Sequence, residues 1–559
     1  MHRFTRLFAL SCLLAAPIFT PAQTPDPAKV DAIFAAYDKA DSPGCALGVI
    51  RDGKLVYSRG YGMANLEHNI PNGSKLIYDI GSTSKQFAAA CIQLLAAEGK
   101  LTIEDEVRKF IPELPQYPQP IRIRHLVHHT SGLRDYLTLF SLAGVSFDDM
   151  TTEGDALKII LRQKALNFAP GEDWTYSNSG YFLLSIVIKR ASGKSFAEYA
   201  KEKIFDPLGM THTLVLDNHK RIVPMRATGY APNPRSGFQT EMSKFEQTGD
   251  GAVQTSVEDL LLWDQNFYAP KVGGPDFLKR MHEVGAFNSG DKHDYASGLF
   301  IEKYKGLNKV SHGGSWAGYR SELLRFPDQR FSVACLCNTS AVNPSALALQ
   351  VADLYLAAEM ARPAAPTAAG QPEAATIELS EAQMKELAGF YRNVANGEAA
   401  RIQLRGGKLY VDRFGPAAPM TARAADRFTI GSSLGGGETE IRIERSANGT
   451  RRLRISPPNR PVQLMDSIEA FAPTPAQLAD FAGSYYSEEL DATYLLSLEG
   501  GTLQAVNRDE RKRPLLPSYT DSFSMMGGAQ LEFQRDAQGR PNGFALHAGR
   551  IRNVRFVRK

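Results

Sequence analysis

Gly81-Ser82-Thr83-Ser84-Lys85 opens an apolar stretch, Phe87-Ala88-Ala89-Ala90-Cys91-Ile92-Gln93-Leu94-Leu95-Ala96-Ala97-Glu98, that stops at Gly99. Phe87, Cys91, Leu94, Leu95 and Glu98 recur with a helical period, and the alanine-rich remainder predicts a helix buried on most sides. On that helix Ser82 and Lys85 are three residues apart and share one face. A free lysine, with a pKa of about 10.4, is protonated at neutral pH, whereas burial disfavours the ammonium and supplies an amine able to take a serine proton. Backbone N–H groups at the helix start favour the negative charge that would develop on and beside Ser82. The same Ser-x-x-Lys spacing recurs at Ser289-Gly290-Asp291-Lys292, where the polar, loop-like setting predicts ordinary surface.

Outward from this stretch, residues 1–22 combine Arg3 and Arg6, an apolar run from Leu7 to Phe19 and small residues at Thr20-Pro21-Ala22, the pattern of a cleaved secretory signal. The apolar segment before Cys12 is too short for a lipoprotein leader. No other stretch reaches the roughly 18 apolar residues of a membrane span, so the expectation is a periplasmic or secreted protein. At 559 residues two or three domains are expected. The net charge of +4, about +2 without Arg3 and Arg6, excludes no enzyme class and argues against nucleic acid as a partner. Cys45, Cys91, Cys335 and Cys337 sit in apolar contexts unlike a zinc site or disulfide scaffold. Cys335 and Cys337 point to one face of a predicted strand, which leaves a bridge to Cys45 open; free buried thiols are the expectation.

Asp52-Gly53 marks a hairpin between strands at 44–50 and 54–58, and further strands are expected at 298–303, 321–326 and 331–337, then a helix over 344–360. Strands from both ends bracket a mainly helical middle, which predicts an α+β domain over 23–361: an antiparallel sheet flanked by helices, with an inserted helical subdomain. In that middle, Trp174-Thr175-Tyr176-Ser177-Asn178 joins a loop to an apolar helix, placing a proton relay and an amide side by side. Later, Ser311-His312-Gly313-Gly314-Ser315 reads as a strand edge where missing side chains admit a substrate backbone.

Ser82-x-x-Lys85, Tyr176-x-Asn178 and His312-Gly313-Gly314, in this order, resemble the penicillin-recognising serine hydrolases: class C β-lactamases, D,D-peptidases, D-aminopeptidases and related esterases. His128-His129-Thr130-Ser131-Gly132, Pro207-Leu208-Gly209-Met210 and Gly251-Ala252-Val253-Gln254-Thr255 agree with it. The resemblance implies that Ser82 is the acylated nucleophile and Lys85 its base or proton partner, that Tyr176 serves the leaving group, and that Asn178 holds Lys85 and the substrate. It further implies an oxyanion hole from the N–H groups of Ser82 and Ser315, with Gly313 and Gly314 lining the substrate. His312 stands where lactamases and many D,D-peptidases carry lysine, and a mostly neutral histidine favours substrates without an obligatory carboxylate. His125, His128 and His129 have no acidic or thiol neighbour at ligand spacing, so neither a metal nor another cofactor is expected.

A Pro/Ala linker is expected over 362–376, then an internal repeat over 377–470 and 471–559. Ser380 to Tyr391 aligns without a gap to Thr474 to Tyr485, and Leu404-Arg405-Gly406-Gly407 aligns to Leu498-Glu499-Gly500-Gly501. Alternating strands with glycine turns predict two small antiparallel, lipocalin-like β-barrels. This arrangement resembles D-stereospecific aminopeptidases, whose third domain sends a loop toward the active site; Arg508 to Pro514 is either that loop or a solvated hairpin tip. The expected function is acyl-enzyme hydrolysis of D-amino-acid-containing peptides, amides or esters. The alternatives are a D,D-carboxypeptidase or class C-type β-lactamase, and a non-catalytic penicillin-binding-like sensor that binds cell-wall fragments.

Overall fold

The computed structural model describes residues 25–360, 376–393, 397–413, 417–431, 438–446, 449–525 and 528–559. The leader expected over 1–22 and nearly all of the linker expected over 362–376 lie outside them. Six strands form one antiparallel sheet: β1 (Cys45–Arg51), β2 (Lys54–Tyr61), β3 (Phe300–Tyr304), β4 (Leu307–Trp316), β5 (Tyr319–Phe326) and β6 (Phe331–Cys337), in the order β3-β4-β5-β6-β1-β2. Positive φ at both Asp52 and Gly53 suits the tight turn between β1 and β2. β1 and β6 are buried almost throughout because both faces are covered. Val30 and Phe34 of the first helix and Leu347 and Val351 of Pro344–Tyr355 cover one face. The helices Lys85–Ala97 and Val257–Asn266 belong to the core on the other.

β1 pairs with β6 in a register that sets Cys45 opposite Cys337, and the two are joined in a disulfide. The expectation of free thiols is therefore corrected for this pair; Cys91 and Cys335 remain free and buried. Directly opposed residues of an antiparallel pair send their side chains to the same face, and only the strand order reveals that these two are opposed.

The C-terminal repeat is visible bond by bond. Ser380 with Gln383, and Thr474 with Gln477, form reciprocal caps on the short helices that open each copy. The Tyr391 hydroxyl donates to Leu387 O at 3.0 Å, and the Tyr485 hydroxyl donates to Phe481 O at 3.0 Å. The second copy is a closed eight-stranded barrel from Gly483–Ser487 to Ile551–Arg558. The first is a nine-stranded sheet whose two end strands, Ala418–Pro419 and Thr421–Ala422, are consecutive in the chain, so it is nearly closed.

The second barrel docks on the hydrolase domain through Arg134, whose side chain is fully buried. Arg134 pairs with the Glu489 carboxylate and donates to Arg552 O at 2.9 Å and Asn553 O at 2.8 Å. Asn167 grips the same strand, donating to Arg550 O at 2.9 Å and accepting from Arg552 N at 2.8 Å.

Candidate active site

Ser82 lies in a single 3₁₀ turn, Gly81–Ser84, that runs straight into the Lys85–Ala97 helix. The Lys85 side chain is buried, with Nζ 3.2 Å from Ser82 Oγ, 2.9 Å from Asn178 Oδ1 and 2.6 Å from Asp250 O. Two of these are fixed acceptors; the third contact can run either way between hydroxyl and amine, the geometry a proton transfer needs. Asn178 is the first residue of the Asn178–Ser192 helix, capped by Ser177, and its backbone N–H donates to Asp135 Oδ2 at 2.8 Å. The buried Tyr176 ring lies 4.8 Å from Lys85 Nζ.

β4 runs against the Ser82 turn. A Cβ on Gly314 would sit 1.9 Å from Ile80 O, and one on Gly81, which has φ of +48°, would sit 2.8 Å from Ser315 N. Both positions thus require glycine, and their closeness brings Ser315 N beside the Ser82 turn. Thr83 Oγ1 donating to His312 O at 3.0 Å and Ser321 Oγ donating to Ile80 O at 2.8 Å fasten the turn to the sheet.

His312 is buried between Tyr295 and Phe300. Its Nδ1 is 2.7 Å from Gly313 O, an acceptor only, so Nδ1 carries the proton and Nε2 accepts from the Tyr295 hydroxyl at 3.0 Å. Burial lowers its pKa to about 3. The imidazole is neutral, and both of its nitrogens are engaged within the protein.

His125, His128 and His129 serve the backbone. His125 Nδ1 accepts from Arg122 N at 3.1 Å, His128 Nδ1 faces Tyr295 O at 3.2 Å, and His129 Nδ1 accepts from Ser177 N at 3.2 Å. The His129 ring also packs tilted against the Tyr176 ring, centroids 4.4 Å apart, so it holds the second motif in place. The second Ser-x-x-Lys lies on the surface, where Ser289 Oγ donates to Asp291 Oδ2 at 2.9 Å.

A cavity of about 830 Å³ is lined by Ser82, Tyr176, Asn178, Phe245, Trp316 and Arg550, among others. Two residues here escape a reading by motif. Asp250 offers its carbonyl to Lys85, while its buried carboxyl, pushed up to about 6, accepts from the Tyr136 hydroxyl at 3.0 Å. Its sequence signal is the pair of flanking glycines, Gly249 (φ +97°) and Gly251, just before a stretch already matched to the family.

Arg550 comes from the second barrel, at the two-residue turn between Pro541–Ala548 and Ile551–Arg558. The other cationic segment, Arg508 to Pro514, does not line the cavity. Arg508 donates to Gly144 O at 3.1 Å, Lys512 pairs with Glu499 at 2.7 Å and Arg513 pairs with Asp509. It rests against the hydrolase domain at 142–144 and folds back on its own barrel.

The family model described as Beta-lactamase matches residues 30–358, which span the sheet, the helical insert and all three motifs. The chain belongs to the beta-lactamase family. It is a serine hydrolase of the penicillin-recognising superfamily. Among curated proteins it is 28% identical over 476 residues to a D-aminopeptidase of Gluconobacter oxydans, covering 84% of this chain and 85% of that one. A D-aminopeptidase of Brucella anthropi is 25% identical over 534 residues, covering 92% of this chain and 95% of that one. Among solved structures, the octameric penicillin-binding protein homologue from Pyrococcus abyssi aligns with a TM-score of 0.54 at 24% identity, over 79% of this chain and 100% of that one, a likeness of fold.

Proposed function

We propose that this family member is an exported hydrolase that takes the acyl group of a D-amino-acid-containing peptide, amide or ester onto Ser82. The observation that carries the reading is Lys85 Nζ at 3.2 Å from Ser82 Oγ, fixed from behind by Asn178 Oδ1 and Asp250 O. Ser82 Oγ attacks the carbonyl and its proton passes to Lys85. The N–H groups of Ser82 and Ser315 receive the oxyanion, and removing one such donor typically lowers the rate about 10²- to 10³-fold. Tyr176 passes a proton to the departing nitrogen or oxygen, and water then releases the acyl group by the reverse path.

Support for a D-aminoacyl substrate comes from the two D-aminopeptidases, whose similarity extends beyond the hydrolase domain into the repeat. A neutral His312 speaks against the β-lactamase alternative, which relies on a permanent cation there. Export is supported by the Met1–Ala22 pattern and by the Cys45–Cys337 bond, since structural disulfides persist in oxidising compartments such as the periplasm or the extracellular space.

The test is hydrolysis of D- and L-aminoacyl p-nitroanilides by the wild type and Ser82→Ala, with intact-protein mass read after rapid quenching. A D-selective activity and a Ser82-dependent acyl adduct are expected. Activity retained in Ser82→Ala would overturn the mechanism, and equal rates on both enantiomers would overturn the substrate class.

A further inference from the structure

The guanidinium carbon of Arg550 lies 4.6 Å from the centre of the Tyr176 ring, against which Lys85 Nζ also lies. Among the described residues the carboxylate nearest Arg550 is that of Asp135, whose Oδ2 is 3.7 Å from Nη1. Asp135 is already occupied: buried, it accepts from Asn178 N, Thr138 N and Thr138 Oγ1 at 2.8, 3.1 and 3.0 Å. The Arg550 side chain is 34% exposed and lines the catalytic cavity. Its position is built rather than incidental. Asn167 grips the backbone on both sides of Ile551, Arg134 holds the next two carbonyls, and Gly549, with φ of +48°, makes the tight turn that projects Arg550.

A rigidly mounted cation with free donors, beside the tyrosine that serves the leaving group, has one obvious chemical use. In a peptide whose leaving residue is the last, a carboxylate sits two bonds from the departing nitrogen. We propose that Arg550, supplied by the second barrel, binds the free C-terminal carboxylate of the leaving amino acid. The substrates are then short D-peptides cleaved before their last residue, and the cation absent at His312 is furnished from another domain. This assignment rests on the hydrolase reading above and names the substrate class of that site.

The experiment compares D-phenylalanyl-D-alanine with its C-terminal amide on the wild type, Arg550→Ala and Arg550→Lys. Charge-assisted hydrogen bonds from a guanidinium predict a wild-type preference for the carboxylate of about 10- to 100-fold in kcat/KM. Arg550→Ala should bring that ratio to near one, and Arg550→Lys should keep part of it. A wild-type ratio near one, or an Arg550→Ala loss equal on both substrates, would overturn the proposal and leave Arg550 a structural partner of Asp135. Ser82-dependent turnover of aminoacyl p-nitroanilides but of neither dipeptide would sink it while sparing the hydrolase reading. Absence of any Ser82-dependent turnover would instead count against that reading. The carboxylate preference is then read from calorimetric binding of the same pair to Ser82→Ala, where equal affinity overturns it.

Discussion

Arg460 stacks on Trp174, its guanidinium carbon 3.8 Å from the ring centre. It belongs to the loop joining Arg451–Ser456 and Gln463–Ile468, the last hairpin of the first repeat copy, just as Arg550 belongs to the last hairpin of the second. The two copies thus set arginines on two aromatics, Trp174 and Tyr176, of the one segment that leads into Asn178. Desolvated cation–aromatic contacts contribute about 2 kcal/mol. Arg460→Ala should therefore loosen the 171–176 segment and lower kcat several-fold with little change in stereoselectivity. Steady-state kinetics on a D-aminoacyl p-nitroanilide check this, and an unaltered kcat would show that the segment holds itself.

Asn178→Ala removes one of two fixed acceptors of Lys85. Hydrogen bonds to charged groups contribute about 1.5–3 kcal/mol, so kcat/KM should fall about 10- to 100-fold. The helix start survives, because the cap is the Ser177 side chain and the contact to Asp135 uses the Asn178 backbone. A wild-type circular-dichroism melt alongside the kinetic loss is the expected pair of results.

Breaking the Arg134–Glu489 pair should be felt both in stability and in the site. Both side chains are buried, and removing one partner of a buried pair typically destabilises by about 3–5 kcal/mol. Arg134→Met also releases the Arg552 and Asn553 carbonyls, and with them the strand that carries Arg550. Denaturant unfolding should show a lowered midpoint for docking of the second barrel, accompanied by a raised KM.

Acid should destabilise the protein from an unusually high pH. Burial lowers His125, His282, His293 and His312 to about 3, and His128 and His547 to about 4. Between about 6.5 and those values the unfolded chain binds more protons than the folded one. Stability therefore falls as pH falls, by up to about 1.4 kcal/mol per pH unit for each histidine. Asp79, Asp250 and Glu322, raised by burial to about 6, act in the opposite sense between about 6 and 4, because there the folded state binds the proton first. The melting temperature should decline throughout from about pH 6.5 to 3, because the six lowered histidines outnumber the three raised carboxyls. A flat profile from 6.5 to 4 would contradict the buried-neutral assignment of these histidines.

What could be read from the sequence follows the range of each interaction. Ser82 with Lys85, and Tyr176 with Asn178, announce themselves because each pair is fixed by one helix start, and Gly314 because no side chain fits against Ile80. The repeat was legible because both copies keep the same caps and the same glycine turns, with Gly406-Gly407 and Gly500-Gly501 all at positive φ. Asp250 was not, since it contributes a carbonyl that every residue possesses. Arg550 was not either: Arg508 to Pro514 is the denser run of charge, but Arg508 is taken up by Gly144 O of the hydrolase domain, and Lys512 and Arg513 by Glu499 and Asp509 of their own barrel. Only docking through Arg134 and Asn167 gives Arg550 its place.

Cys45 and Cys337, 292 positions apart, enclose the helical insert and Ser82, Lys85, Tyr176, Asn178 and His312 between them. Covalently, the hydrolase is a closed loop with the first helix on one side of it and the last helix and the repeat on the other. A protease that nicks one exposed turn inside the loop would release no fragment until a reductant was added. Electrophoresis with and without thiol would therefore separate cuts inside the loop from cuts in the C-terminal tail.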